Sequence, residues 1–200
     1  MKLTILGSGT SIIKKDRLAP GYLLELNSGE SFLFDCGATA AQQFANINFD
    51  YSKLDHILIS HPHPDHIGGL ISLLHGIFLE SMYLKYLGKE ARGKILFLHG
   101  YPGFAKDFNI LLKIMAPELL DGSLDFFPIK VIEQRNQKVK YSSFTLITKV
   151  VSHVDKYFKS IAFRLEADRK VFVYSGDSRY CEQLIELSKD ADLVLSESSS

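Results

Sequence analysis

Cysteine is scarce, neither sign of charge is in excess, and no long uninterrupted hydrophobic run occurs. Only Cys36 and Cys181 are present in 200 residues. Two thiols cannot make a disulfide framework, and free thiols in a reducing compartment are the simpler expectation. Lys plus Arg and Asp plus Glu each number 23, so the formal net charge is zero. There is then no overall basic field to gather nucleic acid and no acidic tail, and an anionic ligand has to be met by a local site. The N-terminal MKLTILGSGT is interrupted by glycines and is too short for a signal peptide's apolar region. The longest apolar stretch, Gly68 to Leu87, is broken by His75, Glu80 and Lys85, and it reads as a buried helix rather than a membrane span. No repeat or low-complexity segment stands out. The expectation is a soluble, cytoplasmic, single domain over 1–200 with no membrane partner.

What is there is an ordinary globular composition, 46% hydrophobic and 23% charged, long enough to bury a sizeable core. Strands are expected at Lys2–Leu6, Tyr22–Leu26 and Ser31–Phe34, the last two joined as a hairpin by Asn27-Ser28-Gly29. His56–Ser60, Lys94–His99, Phe126–Ile132 and Ser143–Val151 read as further strands. Ser160–Leu165 and Lys170–Tyr174 form a second hairpin across Ala167-Asp168-Arg169, and Leu193–Leu195 is a last strand. Helices are expected over Ala38–Ala45, from Ile67 to about Leu87, over the periodic Phe104, Phe108, Leu111, Leu112 and Met115, and around Leu184–Ser188. Clusters of strands with helices between them fit packed sheets with helices outside.

The informative stretch is Ser60-His61-Pro62-His63-Pro64-Asp65-His66. Three of the seven histidines fall within six residues, together with an aspartate. Imidazole and carboxylate make a ligand set for zinc, iron or manganese. His61 and His63 each precede proline and are pushed towards extended backbone, where residues two apart project to one side. Both imidazoles can then grip one metal. Asp65 and His66 are adjacent, point differently and can serve a second. Asp65 could also cap the helix that follows. The bland alternative, a His-rich surface loop, leaves three imidazoles and a carboxylate without a role.

His61-x-His63-x-Asp65-His66 after an apolar strand, followed by Gly68-Gly69-Leu70, resembles the metallo-β-lactamase superfamily. Leu6-Gly7-Ser8-Gly9-Thr10-Ser11, Pro20-Gly21-Tyr22-Leu23-Leu24-Glu25, Phe34-Asp35-Cys36-Gly37, Ser152-His153 and Tyr174-Ser175-Gly176-Asp177-Ser178 resemble, in order, the motifs of its ribonuclease Z-like, phosphodiesterase branch. The resemblance implies an αββα sandwich, two mixed β-sheets face to face with helices outside. It implies two divalent metals, zinc first with manganese or iron open. His61, His63 and His153 hold one, Asp65 and His66 the other, and Asp177 bridges them, so Asp65 and Asp177 carry the catalysis. Asp35 orients ligands from behind. Gly7-Ser8-Gly9 lacks a Walker lysine and reads as a tight turn. Cys36 reads as a packed thiol, and His56, His75 and His99 as core or surface histidines. No substrate-binding residue is assigned, though Arg17, Lys156, Arg164 and Arg179 are candidates for an anionic substrate.

The activity implied is hydrolysis by a metal-bound hydroxide, most simply of a phosphodiester or other small phosphate-bearing substrate, at a site of net charge about +1. An inactive metal-binding module, an ester, lactone or thioester hydrolase, and an iron-based redox relative are the alternatives. The sequence departs from the branch in two places. Only the Ser160–Tyr174 hairpin separates His153 from Asp177, where ribonuclease Z inserts its tRNA-clamping arm. That argues for a small molecule or short nucleotide and against long nucleic acid. No histidine follows His153, although the branch has a last metal ligand there. The expectation is a fold lacking its C-terminal elements, with a weaker second metal and an exposed sheet edge that leaves homodimerisation open.

Overall fold

The computed structural model describes residues 1–120 and 127–196. Eleven strands among these residues form two sheets. The first runs β1 (Lys2–Gly7), β2 (Gly21–Glu25), β3 (Ser31–Phe34), β4 (His56–Ile59), β5 (Leu96–Gly100) and β6 (Ile129–Glu133), in that spatial order. β1, β2 and β3 pair antiparallel, and β3 to β6 pair parallel. The second sheet is ordered β11 (Leu193–Leu195), β10 (Lys170–Tyr174), β9 (Ser160–Ala167), β8 (Thr145–Val151) and β7 (Gln137–Lys140). It is antiparallel except for the parallel β10–β11 pair. Both sheets are mixed or nearly so, as expected for the sandwich.

Aromatic side chains fill the space between the sheets. The Phe34 ring centroid on β3 lies 5.1 Å from that of Phe172 on β10 and 6.0 Å from that of Phe163 on β9. β4 is buried along its whole length, HILI, because the second sheet covers one face and helices the other. Those helices are α1 (Ala40–Asn46), α2 (Pro64–Ile67), α3 (Leu70–Tyr86) and α4 (Phe104–Met115). The apolar Pro64–Tyr86 segment is long enough to cross a membrane by length and composition, and half of its most apolar window is buried inside the fold. The last helix, α5 (Glu182–Ser188), packs on the outer face of the second sheet through Leu187 against Val151, Ala162 and Val173.

β9 shows how period two serves both faces. Ile161, Phe163 and Leu165 enter the inter-sheet core, and Ala162 meets α5. Arg164, on the same face as Ala162, donates to the carbonyls of Leu187 and Lys189 at the end of α5 and to Glu166. It caps a helix rather than facing a substrate, which corrects that candidate. The edge strand β7, QKVK, was not anticipated, because a lysine-rich edge carries little apolar alternation. β6 starts at Ile129, and the expected start at Phe126 lies outside the described residues.

Candidate metal centre

The site lies where β4, β8 and β10 end. Pro62 and Pro64 hold the loop after β4 extended, and His63 leaves it with φ −62° and ψ 142°. Pro64 then opens α2, where its missing N–H costs nothing. His63, not Asp65, occupies the N-cap position; Asp65 sits in the first turn. His153 follows β8 and Asp177 follows β10. The first sheet thus supplies the 61–66 cluster and the second supplies the other two residues.

The structure brings His61, His63, His153 and Asp177 together, with one donor atom from each within 4.8 Å of all the others. Nε2 of His61 is 2.9 Å from Nδ1 of His63, and Nε2 of His153 is 3.4 Å from the same atom. Oδ2 of Asp177 lies 3.7 Å from His61 and 3.6 Å from His153. The other oxygen, Oδ1, lies 3.1 Å from Nε2 of His66, which is 3.6 Å from Oδ2 of Asp65. Asp177 therefore turns one oxygen to the His61, His63 and His153 group and the other to the His66 and Asp65 pair. The first group has four donors and the second, counting the shared Asp177, has three. Four N and O donors at this spacing suit a divalent ion such as zinc.

Asp35 lies behind both groups, fully buried, in the left-handed region at φ 53°. It accepts from Nδ1 of His66 at 2.6 Å, from the Ser60 amide at 2.7 Å, from the Ser60 hydroxyl at 2.8 Å, and from the Tyr174 hydroxyl. Burial alone would raise its pKa, but the neighbouring His66 holds it below the usual carboxylate range. His66, against the pull of burial, is raised to about 10 by Asp35 and Asp177. Burial pushes His61 down to about 4. Asp177 is lowered because its bond to His66 outweighs burial.

A cavity of about 550 Å³ opens over these groups. His63, Asp65, His66 and Asp177 form one wall, and Ser8, Thr10, Ser11, Arg17 and Tyr22 another. Gly7 and Gly9 allow the second wall: a Cβ on Gly7 would stand 2.1 Å from the Ala19 carbonyl oxygen, and one on Gly9 2.8 Å from that of Leu18. The two glycines do more than turn the chain, for they let the 17–19 segment lie on the loop and carry Arg17 to the rim. Of the four cationic candidates only Arg17 lines the cavity; Lys156 lies over the Tyr157 ring. Phe158 was not anticipated. It packs on His61 and His63 with centroids 5.7 and 4.9 Å apart. Its only sequence signal is position, five residues after His153. The sequence shows Tyr174 only as part of a motif, because its bond to Asp35 spans 139 residues.

The fold and this arrangement define a metallo-β-lactamase fold of the ribonuclease Z-like kind. Its likeness to solved structures is broad. Human short-form tRNase Z superposes with a TM-score of 0.74 at 22% identity, covering 97% of this chain and 76% of that one. The metallo-β-lactamase fold protein YhfI from Bacillus subtilis gives 0.73 at 24%, covering 96% and 69%. Ribonuclease Z of Methanococcus maripaludis strain C7 is 30% identical over 184 residues, 88% of this chain and 55% of that protein. The chain thus spans about half the length of that curated relative. The sequence model of the family described as anti-Pycsar protein Apyc1 matches residues 1–199, and the chain belongs to that family.

Proposed function

We propose that the protein is a metal-dependent hydrolase of phosphodiesters, acting on a small phosphate-bearing molecule or short nucleotide. The observation that carries this reading is Asp177, one of whose oxygens faces His61 and His153 while the other faces His66 beside Asp65. A single carboxylate so placed fits a pair of divalent ions, zinc in the first instance. His61, His63 and His153 would hold one and Asp65 and His66 the other. Such a pair supplies Lewis acidity and lowers the pKa of a coordinated water to about 7.

The chain's own residues do the rest. Asp177 fixes the spacing between the His61, His63 and His153 group and the His66 and Asp65 pair. Asp65, on the cavity wall beside His66, orients the attacking water and accepts its proton. Arg17 faces the same cavity and pairs with a phosphate oxygen, and the hydroxyls of Ser8, Thr10 and Ser11 offer further hydrogen bonds. A volume of about 550 Å³ suits a ligand of nucleotide size. The plain hairpin between β9 and β10 supports a small substrate. A second reading, an RNA substrate, is favoured by the relatives named ribonuclease Z and runs against the sequence argument for a small substrate over long nucleic acid.

The test is hydrolysis of bis(p-nitrophenyl) phosphate by the zinc- or manganese-loaded chain, beside a structured RNA. Turnover should disappear with chelator and fall more than ~100-fold in Asp177→Asn. Turnover unchanged after complete metal removal overturns the reading. Preference for the RNA moves the substrate to the second reading.

A further inference from the structure

We propose that Ser60 is a positioning residue through which the single buried carboxylate of Asp35 fixes a histidine in each half of the centre. The proposal rests on the metal-centre reading above, not on hydrolysis. Asp35 reaches one half directly, since Nδ1 of His66 lies 2.6 Å from its Oδ2. It reaches the other half through Ser60, whose hydroxyl lies 2.8 Å from Asp35 Oδ2 and 2.9 Å from Nδ1 of His61.

The proton count fixes the direction. The Ser60 hydroxyl has one proton, and the carboxylate can only accept. The hydroxyl therefore donates to Asp35 and accepts from Nδ1–H of His61. That tautomer leaves Nε2 of His61 with its lone pair free, and Nε2 is the atom facing His63 and Asp177. By the same logic His66 gives its Nδ1–H to Asp35, and its Nε2 faces Asp177 and Asp65. One carboxylate thus selects the metal-facing nitrogen of two rings.

The surroundings leave the relay no slack. Asp35, Ser60 and His61 are fully buried. The Ser60 amide also donates to Oδ1 of Asp35 at 2.7 Å, which locks the backbone beneath the hydroxyl. Gly176 precedes Asp177 at φ +56°, and a Cβ there would stand 2.6 Å from Ser60 Cβ and 3.0 Å from its Oγ. The bare glycine is what lets the second sheet's ligand approach while Ser60 keeps its place.

The two arms of the relay differ, so they can be separated. The full chain, stripped of metal, is titrated with cobalt(II) while the visible absorption is followed, and with zinc against a chromophoric chelator. Ser60→Ala should weaken one binding step about 10- to 100-fold and alter the cobalt band of that step, while the other stays within about threefold. Asp35→Asn should weaken both steps. Ser60→Thr keeps the hydroxyl and should bind within about threefold of the parent, whereas Ser60→Cys, a poor hydrogen-bonding partner, should repeat the selective loss. Metal-free thermal unfolding of each variant separates misfolding from weakened binding, and the Thr and Cys pair decides the matter if Ser60→Ala does not fold. Ser60→Ala and Ser60→Cys that titrate like the parent, or weaken both steps equally, overturn the relay. A parent chain that binds no divalent metal overturns the metal-centre reading and the relay with it.

Discussion

Nδ1 of His56 on β4 lies 3.1 Å from Nε2 of His99 on the neighbouring β5, both side chains buried between the sheets. Gln134 donates to the other ring nitrogen of His99 at 2.8 Å, so His99 donates its Nε2–H to Nδ1 of His56. Phe32 and Phe97 stack on His56 at 4.6 and 5.1 Å. Burial holds His56 down to about 4, with Lys94 adding to it, and His99 down to about 3, with His56 adding to it. The unfolded chain, with both near the ordinary value, binds more protons at pH 5 than the folded one. Stability is therefore full above about pH 6.5 and is lost as pH falls towards 4, on the order of 2 kcal/mol per histidine by pH 5. Urea unfolding in chelator at pH 7 and pH 5 should show that loss, and His56→Phe/His99→Gln should flatten it. Equal slopes in parent and variant would discard the assignment.

Metal should stabilise the chain as a ligand does. Saturating zinc at 100 times its dissociation constant adds about 2.7 kcal/mol, so the melting temperature should rise with zinc and fall with chelator. His63→Ala removes the nitrogen closest to both His61 and His153 and should abolish most of that rise. Differential scanning fluorimetry with metal counting by mass spectrometry reads both. A variant that responds like the parent would remove His63 from the ligand set.

Arg17 makes no side-chain hydrogen bond or ion pair among the described residues and stands at the cavity rim. A charge-assisted contact to a phosphate is worth about 1.5–3 kcal/mol. Arg17→Ala should raise KM for a phosphodiester about 10- to 100-fold with kcat little changed. An unchanged KM would exclude Arg17 from the substrate.

Phe34 is fully buried and meets rings from β9 and β10. Phe34→Ala opens a cavity between the sheets and should cost about 3–5 kcal/mol. An unfolding free energy, read from chemical denaturation, that falls by less than a third of that would mean that the sheets close over the gap.

The two kinds of information in the chain were unequally legible. Local patterns carried β2, β3, β4 and α4, because apolar runs and helical periodicity write burial directly into neighbouring residues. The His61–His66 cluster was legible for the same reason, since proline geometry acts within two residues. The lysine-rich β7 carried no such pattern. Nor did the helix-capping duty of Arg164, fixed by a partner more than twenty residues away. Ser60 stood in plain view, but its function depends on Asp35, Gly176 and Tyr174, which only the closed sandwich brings near.

The proposed ligands come from both sheets, and that has a mechanical meaning. His63 and His153 are 90 residues apart in the chain and 3.4 Å apart in space. An ion gripping both is a rivet through the open rim of the sandwich. It ties together two distant points of the chain, and it does so only in the folded state, to which it binds in preference to the unfolded one. Separating the sheets at that rim, by force or by heat, then requires losing the ion first. Backbone amides at the ends of β4, β8 and β10 should exchange with solvent on the clock of metal release, not on that of local fraying.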